Sequence, residues 1–414
     1  MNIAVYIARK LKGDATSTGR ISRMGNRIAI VSVAVSVFTM ILSVAIVRGF
    51  RSEIQKRAVG FTGEILMEAP GAGFVTEAIP VSTNLSYLDE LKSHPDVDHI
   101  QEFAVSYGII NTGESIQAVS LKGVGAGYRW DFFERHLKEG NIPVFTPDAS
   151  SSEIMISRRL SALLKIGLQD VVTMYFIGDN VRMRRFIISG IYDAQLEDID
   201  NHLVIGDIRH AQRLNGWRED QVSGMEIFLN DKNRIDIQQE SIEDFIIANS
   251  ADTDDGVVLR SVKRIYSHLY DWLDLMDINV VILLTLMVLV AGFNMMSGLL
   301  ILLFEKTSAI GLFKAMGMKD RSIRNSFLYN AAGVALKGMT AGTVLAVIFL
   351  VIQKNTGMIP LDPSTYFVDT VPVDLLWYHV LLIDVGAVGL LLIVLMLPLK
   401  SIIRISPDKA IRMR

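Results

Sequence analysis

The sequence predicts an α-helical membrane protein: four transmembrane helices, with a large α+β domain inserted between helices 1 and 2. Three observations predict this. Half of the 414 residues are hydrophobic and mean hydropathy is +0.35, yet 21% are charged, so apolar and charged residues are segregated along the chain. Four stretches reach the ~20 apolar residues that a helix needs to cross a bilayer. Lys and Arg gather in alternate flanks of those stretches, which sets their direction. This composition excludes disorder, collagen-like sequence and a small disulfide scaffold. With no cysteine in the chain, thiol catalysis, cysteine metal sites and disulfides are excluded too.

The elements follow in order. Residues 1–27 carry Arg9, Lys10, Lys12, Arg20, Arg23 and Arg27 against the single acid Asp14. Within them Ile3, Ile7 and Leu11 share a helical face, which suits a helix lying on the inner membrane surface or a disordered leader. Span one is residues 28–47. Arg48-Gly49-Phe50-Arg51 follows it in place of a small-residue cleavage site, so span one is an uncleaved anchor. Residues 48–277 form the outer domain. Span two, 278–304, runs 27 residues without a charge. Residues 305–326 form a basic inner loop with Lys306, Lys314, Lys319, Arg321 and Arg324. Span three is 327–352. The outer loop 353–378 has only Lys354 as a base. Span four is 379–399, and the tail 400–414 is again basic. Both termini and the inner loop are thereby placed in the cytoplasm.

The outer domain holds 36 acids and 23 bases, a net of -13. Its ~230 residues are enough for one or two domains with real cores. Helical patterns are expected at Leu85–Ser93, Arg158–Lys165, Ile205–Leu214 and Ile235–Asn249. Strands are expected at Val97–Ile110, Ile116–Val124, Glu153–Ile156, Val171–Ile177, Arg185–Tyr192 and Met225–Leu229, with a turn at Gly178-Asp179-Asn180. Arg260–Asp277 is expected to lead as one continuous helix into span two. No catalytic constellation emerges: the seven histidines are scattered, and no nucleophile elbow is present. Glu197, Asp198 and Asp200 lack the spacing and glycine of a Ca²⁺ loop, so they read as a solvated face or a docking patch. No metal site and no nucleic-acid partner are expected.

In the inner loop, Ile310, Phe313 and Met316 or Gly317 share a helical face beside the basic residues. Such a segment can lie on lipid or dock in a groove of another protein. The chain has no Gly-Lys dipeptide and so no Walker A phosphate loop. It is therefore expected not to be an enzyme by itself. The loop reads Glu305, Lys306, Thr307, Ile310, Gly311, Lys314, Ala315 and Gly317. That pattern resembles the Glu-(Arg/Lys)-Thr-x-x-Ile-Gly-x-x-(Arg/Lys)-Ala-x-Gly signature of FtsX/MacB-type ABC transporter permeases. Over nearly its whole length the chain is similar to the lipoprotein-releasing (Lol) permeases. The features are Arg48-Gly49-Phe50, Gly190-Ile191-Tyr192, Asp207-Ile208-x-x-Ala211-Gln212, Val222-Ser223-Gly224-Met225-Glu226, Leu361-Asp362-Pro363-Ser364-x-Tyr366 and Ser406-Pro407-x-Lys409-Ala410-Ile411-Arg412.

The resemblance implies a multi-pass protein of the bacterial inner membrane with a periplasmic outer domain. It implies a second permease chain, the same or paralogous, and a separate cytoplasmic ABC ATPase that binds the ATP and Mg. The inner loop would couple to that ATPase. The cargo would be a lipoprotein, extracted from the outer leaflet and passed to a periplasmic carrier. One family permease grips the carrier with a protruding hairpin. Here Met174–Phe186 leaves room only for a small one, which argues against capture by such a hook. The alternatives are a MacB-like efflux permease, which usually carries its ATPase in the same chain, and an FtsX-like signalling module, whose outer domain tends to be smaller.

Two features lie inside the membrane. Val37, Met40, Ile41 and Val44 on span one and Leu289, Phe293, Met296 and Leu300 on span two form stripes. They read either as helix packing or as a cleft for the acyl chains of a cargo. Lys337 in span three and Asp384 in span four are intramembrane charges. A lone Lys at midplane costs about 2.5–3.5 kcal/mol. Three readings stay open: Lys337 reaching a polar region, a Lys337–Asp384 pair, or a functional relay. Gly338-x-x-x-Gly342 is a close-packing motif.

Overall fold

The computed structural model describes residues 19–72, 79–176, 181–232 and 234–399. The leader helix face, the turn at 178–180 and the closing motif from Ser406 lie outside these residues. The described chain forms two compact units. One takes the chain up to Ser52, Trp272–Pro360 and the part from Thr370; the other is Glu53–Asp271 with Leu361–Asp369.

The first unit is helical. Hydrocarbon offers no hydrogen-bond partners, so every backbone group in it must be satisfied within the segment, and long helices do this. The helices are Gly19–Thr62, Ser267–Glu305, Asp320–Thr356 and Trp377–Leu399, and all four are long and apolar enough to cross a membrane. They are named spans one to four. Their shared core is small and branched: Val33, Val37, Ile41, Ala291, Met295, Ala335, Ala346 and Leu391 all pack there. Span three ends where Gly357 adopts φ +56 and its N–H bonds back to the Gln353 carbonyl. Buried Gln353 then ties down the following loop. Its amide donates to the Val371 carbonyl at 3.1 Å and its oxygen accepts from the Ile359 N–H at 3.1 Å.

The second unit is α+β. Its strands are β1 (Ile65–Glu68), β2 (Val81–Ser82), β3 (Val97–Asn111), β4 (Ile116–Val124), β5 (Leu137–Gly140), β6 (Glu153–Ser157), β7 (Val171–Phe176), β8 (Arg182–Tyr192), β9 (Leu203–Asp207), β10 (Gln221–Val222), β11 (Gly224–Leu229) and β12 (Val258–Ser261). Ten form one sheet in the order β12-β1-β11-β3-β4-β9-β6-β8-β5. The tenth, β7, pairs with both β3 and β8. The ring β3-β4-β9-β6-β8-β7 therefore closes on itself, which removes its sheet edges. Ile110, Leu121, Ile154, Met174, Phe186 and Val204 fill one shared core there.

A buried charge network joins three neighbouring strands to the end of the first helix. Lys122 of β4 donates to Glu226 of β11 at 2.5 Å and to the Phe61 carbonyl at 2.6 Å. Gln101 of β3 donates to the other Glu226 oxygen at 2.7 Å. Lys122 and Glu226 are 6% and 2% exposed at the side chain. The Phe61 carbonyl is one of the last in its helix and has no intrahelical partner, so an ammonium there satisfies it and matches the helix dipole.

Two expectations are corrected. Ile205–Leu214 is not one helix: Leu203–Asp207 is strand β9, and the helix is Ile208–Asn215. Asp207 caps it, its side chain accepting from the Arg209 N–H at 3.0 Å, and an N-cap residue is itself non-helical. Nor is Arg260–Asp277 one helix. Arg260 is in β12, opposite Leu66, and its side chain pairs with Glu68. A single turn, Val262–Ile265, ends at Tyr266, and span two starts at Ser267. The need to add a strand beside β1 overrides the helical pattern.

Removing one partner of a buried ion pair strands the other. Lys122→Met is expected to cost about 3–5 kcal/mol. The double variant Lys122→Met/Glu226→Leu should recover a large part of that in thermal or denaturant unfolding of the solubilised protein.

Candidate functional site

Three places in the helical unit carry the residues singled out by the sequence: the inner loop, the stripes of spans one and two, and the outer ends of the spans. The inner loop holds a helix, Thr307–Ala315. The Thr307 hydroxyl donates to the Leu303 carbonyl at 3.0 Å. Gly317, at φ +85, ends the helix: its N–H bonds to the Lys314 carbonyl and the Met318 N–H to the Phe313 carbonyl. That paired closure requires the left-handed residue that glycine supplies.

Of the face chosen from the sequence, Ile310 and Phe313 turn inward, whereas Met316 and Gly317 are exposed. Ile310 is 1% exposed and Gly311 is buried; Ile310 joins the bundle core, with Phe313 packed against it. Glu305 and Lys306 lie 3.7 Å apart and are mostly covered. Lys314 is bound to Asp320 at 2.9 Å. The outward side is Ser308, Leu312, Ala315, Met316 and Gly317, with Lys319 and Arg321 beyond. Leu312 and Met316, one turn apart, are 55% and 66% exposed. The sequence reading placed Met316 on the Ile310 face and did not name Leu312; the structure turns Met316 outward with Leu312.

The two stripes point in different directions, and only Leu300 of the span-two stripe packs against the core that holds Val37, Met40 and Ile41. Val37, Met40 and Ile41 are in the bundle core, with Val44 half-buried. Span two offers Ala291, Met295 and Leu299 to that core, while Leu289 and Phe293 are exposed on another face. Met296 and Leu300 lie between, half-buried. Small residues set the contact: Asn294 donates to the Ser32 hydroxyl at 2.6 Å, and a Cβ at Gly298 would touch Gly25 and Ala29. Span three approaches span one more closely. A Cβ at Gly342 would lie 2.4 Å from the Ala34 carbonyl oxygen, and one at Gly338 2.7 Å from Val33. Helices in lipid associate through such close backbone approach.

Lys337 and Asp384 are not paired. The Thr343 hydroxyl sits between the two Asp384 carboxylate oxygens, at 2.9 and 3.0 Å, and donates its one hydrogen to them, while Lys337 is exposed. One turn of helix separates side chains on the same face, and Lys337 lies nearly two turns from Thr343, on a different side.

At the outer ends, Arg48-Gly49-Phe50-Arg51 acts as a clamp. Arg48 hydrogen-bonds His379 at 2.7 Å, and Arg51 pairs with Asp274 at 3.1 Å and with Asp277. Phe50 meets Trp272 edge-on at 6.4 Å. Gly49 lets the Pro372 carbonyl approach where a Cβ would lie 2.3 Å from it. The outer-domain motifs are architectural as well. Gln212 donates to the Glu219 and Gln221 carbonyls, both at 3.0 Å, and Ser223 accepts from the Val105 N–H at 2.8 Å. Glu226 is the partner of Lys122.

Two protein-family models match the chain: one described as the MacB-like periplasmic core domain, over residues 28–245, and one described as the FtsX-like permease C-terminal, over residues 281–407. The chain is similar to the lipoprotein-releasing system transmembrane protein LolC of Xylella fastidiosa, at 21% identity over 401 residues, covering 93% of this chain and 92% of that one. It is similar to LolE of Haemophilus influenzae at 21% identity over 405 residues, covering 92% of each. It is similar to LolC of Neisseria meningitidis at 22% over 411 residues, covering 93% of each. Among solved structures, the periplasmic region of MacB from Actinobacillus actinomycetemcomitans aligns with 51% of this chain and 95% of that one, at 14% identity and a TM-score of 0.35.

Gly342→Leu should force spans one and three apart and lower the melting temperature and the yield of folded protein. Gly386→Leu, in span four with no atom near its added Cβ, should leave both unchanged. Fluorescence-detected size exclusion after a heating series reads the difference.

Proposed function

We propose that this chain, which belongs to the MacB-like periplasmic core domain family and is a Lol-type permease of the FtsX/MacB-like superfamily, extracts lipoproteins from the outer leaflet of the inner membrane and hands them to a periplasmic carrier. The carrying observation is the end-to-end match to LolC and LolE together with four spans and an α+β domain between the first two. A separate cytoplasmic ATPase supplies the energy. It pairs with two permease chains, and both termini of each chain lie in the cytoplasm with the inner loop.

In this reading Leu312 and Met316 are what the inner-loop helix presents to the ATPase, with Lys319 and Arg321 beside them. Ile310, Gly311 and Lys314 transmit the movement inward because they are bound into the bundle. The outward face of span two, Leu289 and Phe293, meets either the acyl chains of the cargo or the second permease. The match to the MacB-like model also favours a second reading, an efflux permease of the same build.

Two experiments test these assignments. Leu312→Glu with Met316→Glu should leave the permease folded while lipoprotein release by the reconstituted transporter falls tenfold or more and ATP hydrolysis continues. Normal release would remove this helix from the coupling path. Ser150 and Ser308 are both exposed, so cysteines placed there differ only in the side of the membrane they face. An impermeant maleimide should label the Ser150→Cys protein in intact spheroplasts and spare Ser308→Cys; the reverse would overturn the topology.

A further inference from the structure

The outer ends of spans one and four are joined by a hydrogen bond that a proton can break. A guanidinium has donors only, so Arg48, meeting His379 Nε2 at 2.7 Å, requires a bare, accepting nitrogen there. The ring is therefore neutral and carries its one proton on Nδ1. This is the only hydrogen bond of either side chain among the described residues. Arg48 Nε and His379 Nδ1 are both buried without a partner. The closed contact thus has no place for a second proton. Protonation of Nε2 removes the acceptor, sets an imidazolium against a guanidinium and leaves neither ring N–H with anything to bond.

The segment before span four is laid against span one at this point. The Asp374 N–H donates to the Ala45 carbonyl at 3.1 Å, three residues before Arg48. Gly49, next to Arg48, admits the Pro372 carbonyl where a Cβ would lie 2.3 Å from it. Of these contacts only the Arg48–His379 bond titrates. The charged and titratable groups around the ring are Arg48 from span one, Asp374 from the segment leading into span four, and Tyr378 beside it, the two rings 4.2 Å apart. Arg51, Asp274 and Asp277 satisfy one another. His379 is the third residue of span four and is half-buried, so it stands at the end of the span and not in its middle.

We propose that Arg48 and His379 form a proton-operated latch between spans one and four. It is closed while the ring is neutral. It opens when Nε2 takes a proton from water and the imidazolium turns from Arg48 to the carboxylate of Asp374. Histidine is the side chain that ordinarily changes charge between about pH 5 and 8. The closed form holds one proton fewer than the open form. The latch is therefore complete at pH 8 and is lost as the medium is acidified below the ordinary histidine value of about 6.5. This inference stands on contacts within the helical unit and does not depend on what is transported.

The test is hydrogen exchange, read by mass spectrometry on the full-length protein in nanodiscs at pH 8 and pH 5.5 and corrected for the intrinsic effect of pH on exchange. Peptides covering Pro372–His379, which include the Asp374 amide, should lose protection at least tenfold at pH 5.5. His379→Gln should keep its protection at both pH values, because its amide oxygen accepts from Arg48 and does not titrate. Should that variant fold poorly, Arg48→Gln serves instead: its amide oxygen accepts from a protonated ring, so acidification should cost it no protection. Equal protection of the wild-type peptides at the two pH values would overturn the proposal. So would a loss on acidification that persists in either variant.

Discussion

The α+β unit depends on how one helix end is received. A helix leaves its last carbonyls unpaired, and burying them without partners would cost more than the packing returns. Lys122 answers the Phe61 carbonyl, Glu226 neutralises Lys122, and Gln101 holds Glu226. These three residues sit on β4, β11 and β3, which are neighbours in the sheet. The same helix turn is gripped on its other sides. Phe61 meets Phe132 and Phe133 at 5.1 and 5.8 Å, and Arg57 bonds the Ala194 carbonyl at 2.8 Å. A Cβ on Gly60 would lie inside the Phe132 ring, 2.2 Å from its nearest atom. Sheet and helix end thus specify each other: the charges fix the axial position of the helix, and the rings and Gly60 fix its rotation.

The spans were legible because length and apolarity are one-dimensional properties, visible in any window of ~20 residues. Most strands of the domain were legible for a related reason, since alternation is local. The closure of the ring was not. It depends on Ile110 of β3 meeting Met174 of β7, more than sixty residues later, and no local pattern announces such a pairing. β9 was missed because five successive residues, Leu203–Asp207, are all buried, so the strand shows no alternation. A run of that kind reads equally as the start of the helix that follows it.

The stripes and the inner loop were ambiguous for a shared reason. In water an apolar face marks the side that packs. In lipid the outside of a bundle is as apolar as its inside, so large hydrophobic residues cease to be informative. Leu289 and Phe293 look like core residues and are exposed; Ala291 and Gly298 look incidental and lie against span one. Small residues carried the correct signal, as Gly338 and Gly342 did in span three. The inner loop repeats the ambiguity on a smaller scale. Its Ile310 side belongs to the bundle and its Leu312 side is exposed.

The intramembrane charges show what the bundle resolves internally and what it hands outward. Asp384 lies beside Thr343, whose single hydroxyl hydrogen is shared between its two oxygens at the contact of spans three and four. Lys337 is on the exposed side of span three, where Thr340 turns its own hydroxyl to the Lys337 carbonyl at 3.1 Å. An ammonium at that depth in plain hydrocarbon costs about 2.5–3.5 kcal/mol. The chain tolerates that cost in a span with no other charge between Arg324 and Lys354, where a Leu would insert at no cost. The two charges thus differ in kind: Asp384 is answered within the contact of spans three and four, whereas Lys337 faces away from the core of the bundle.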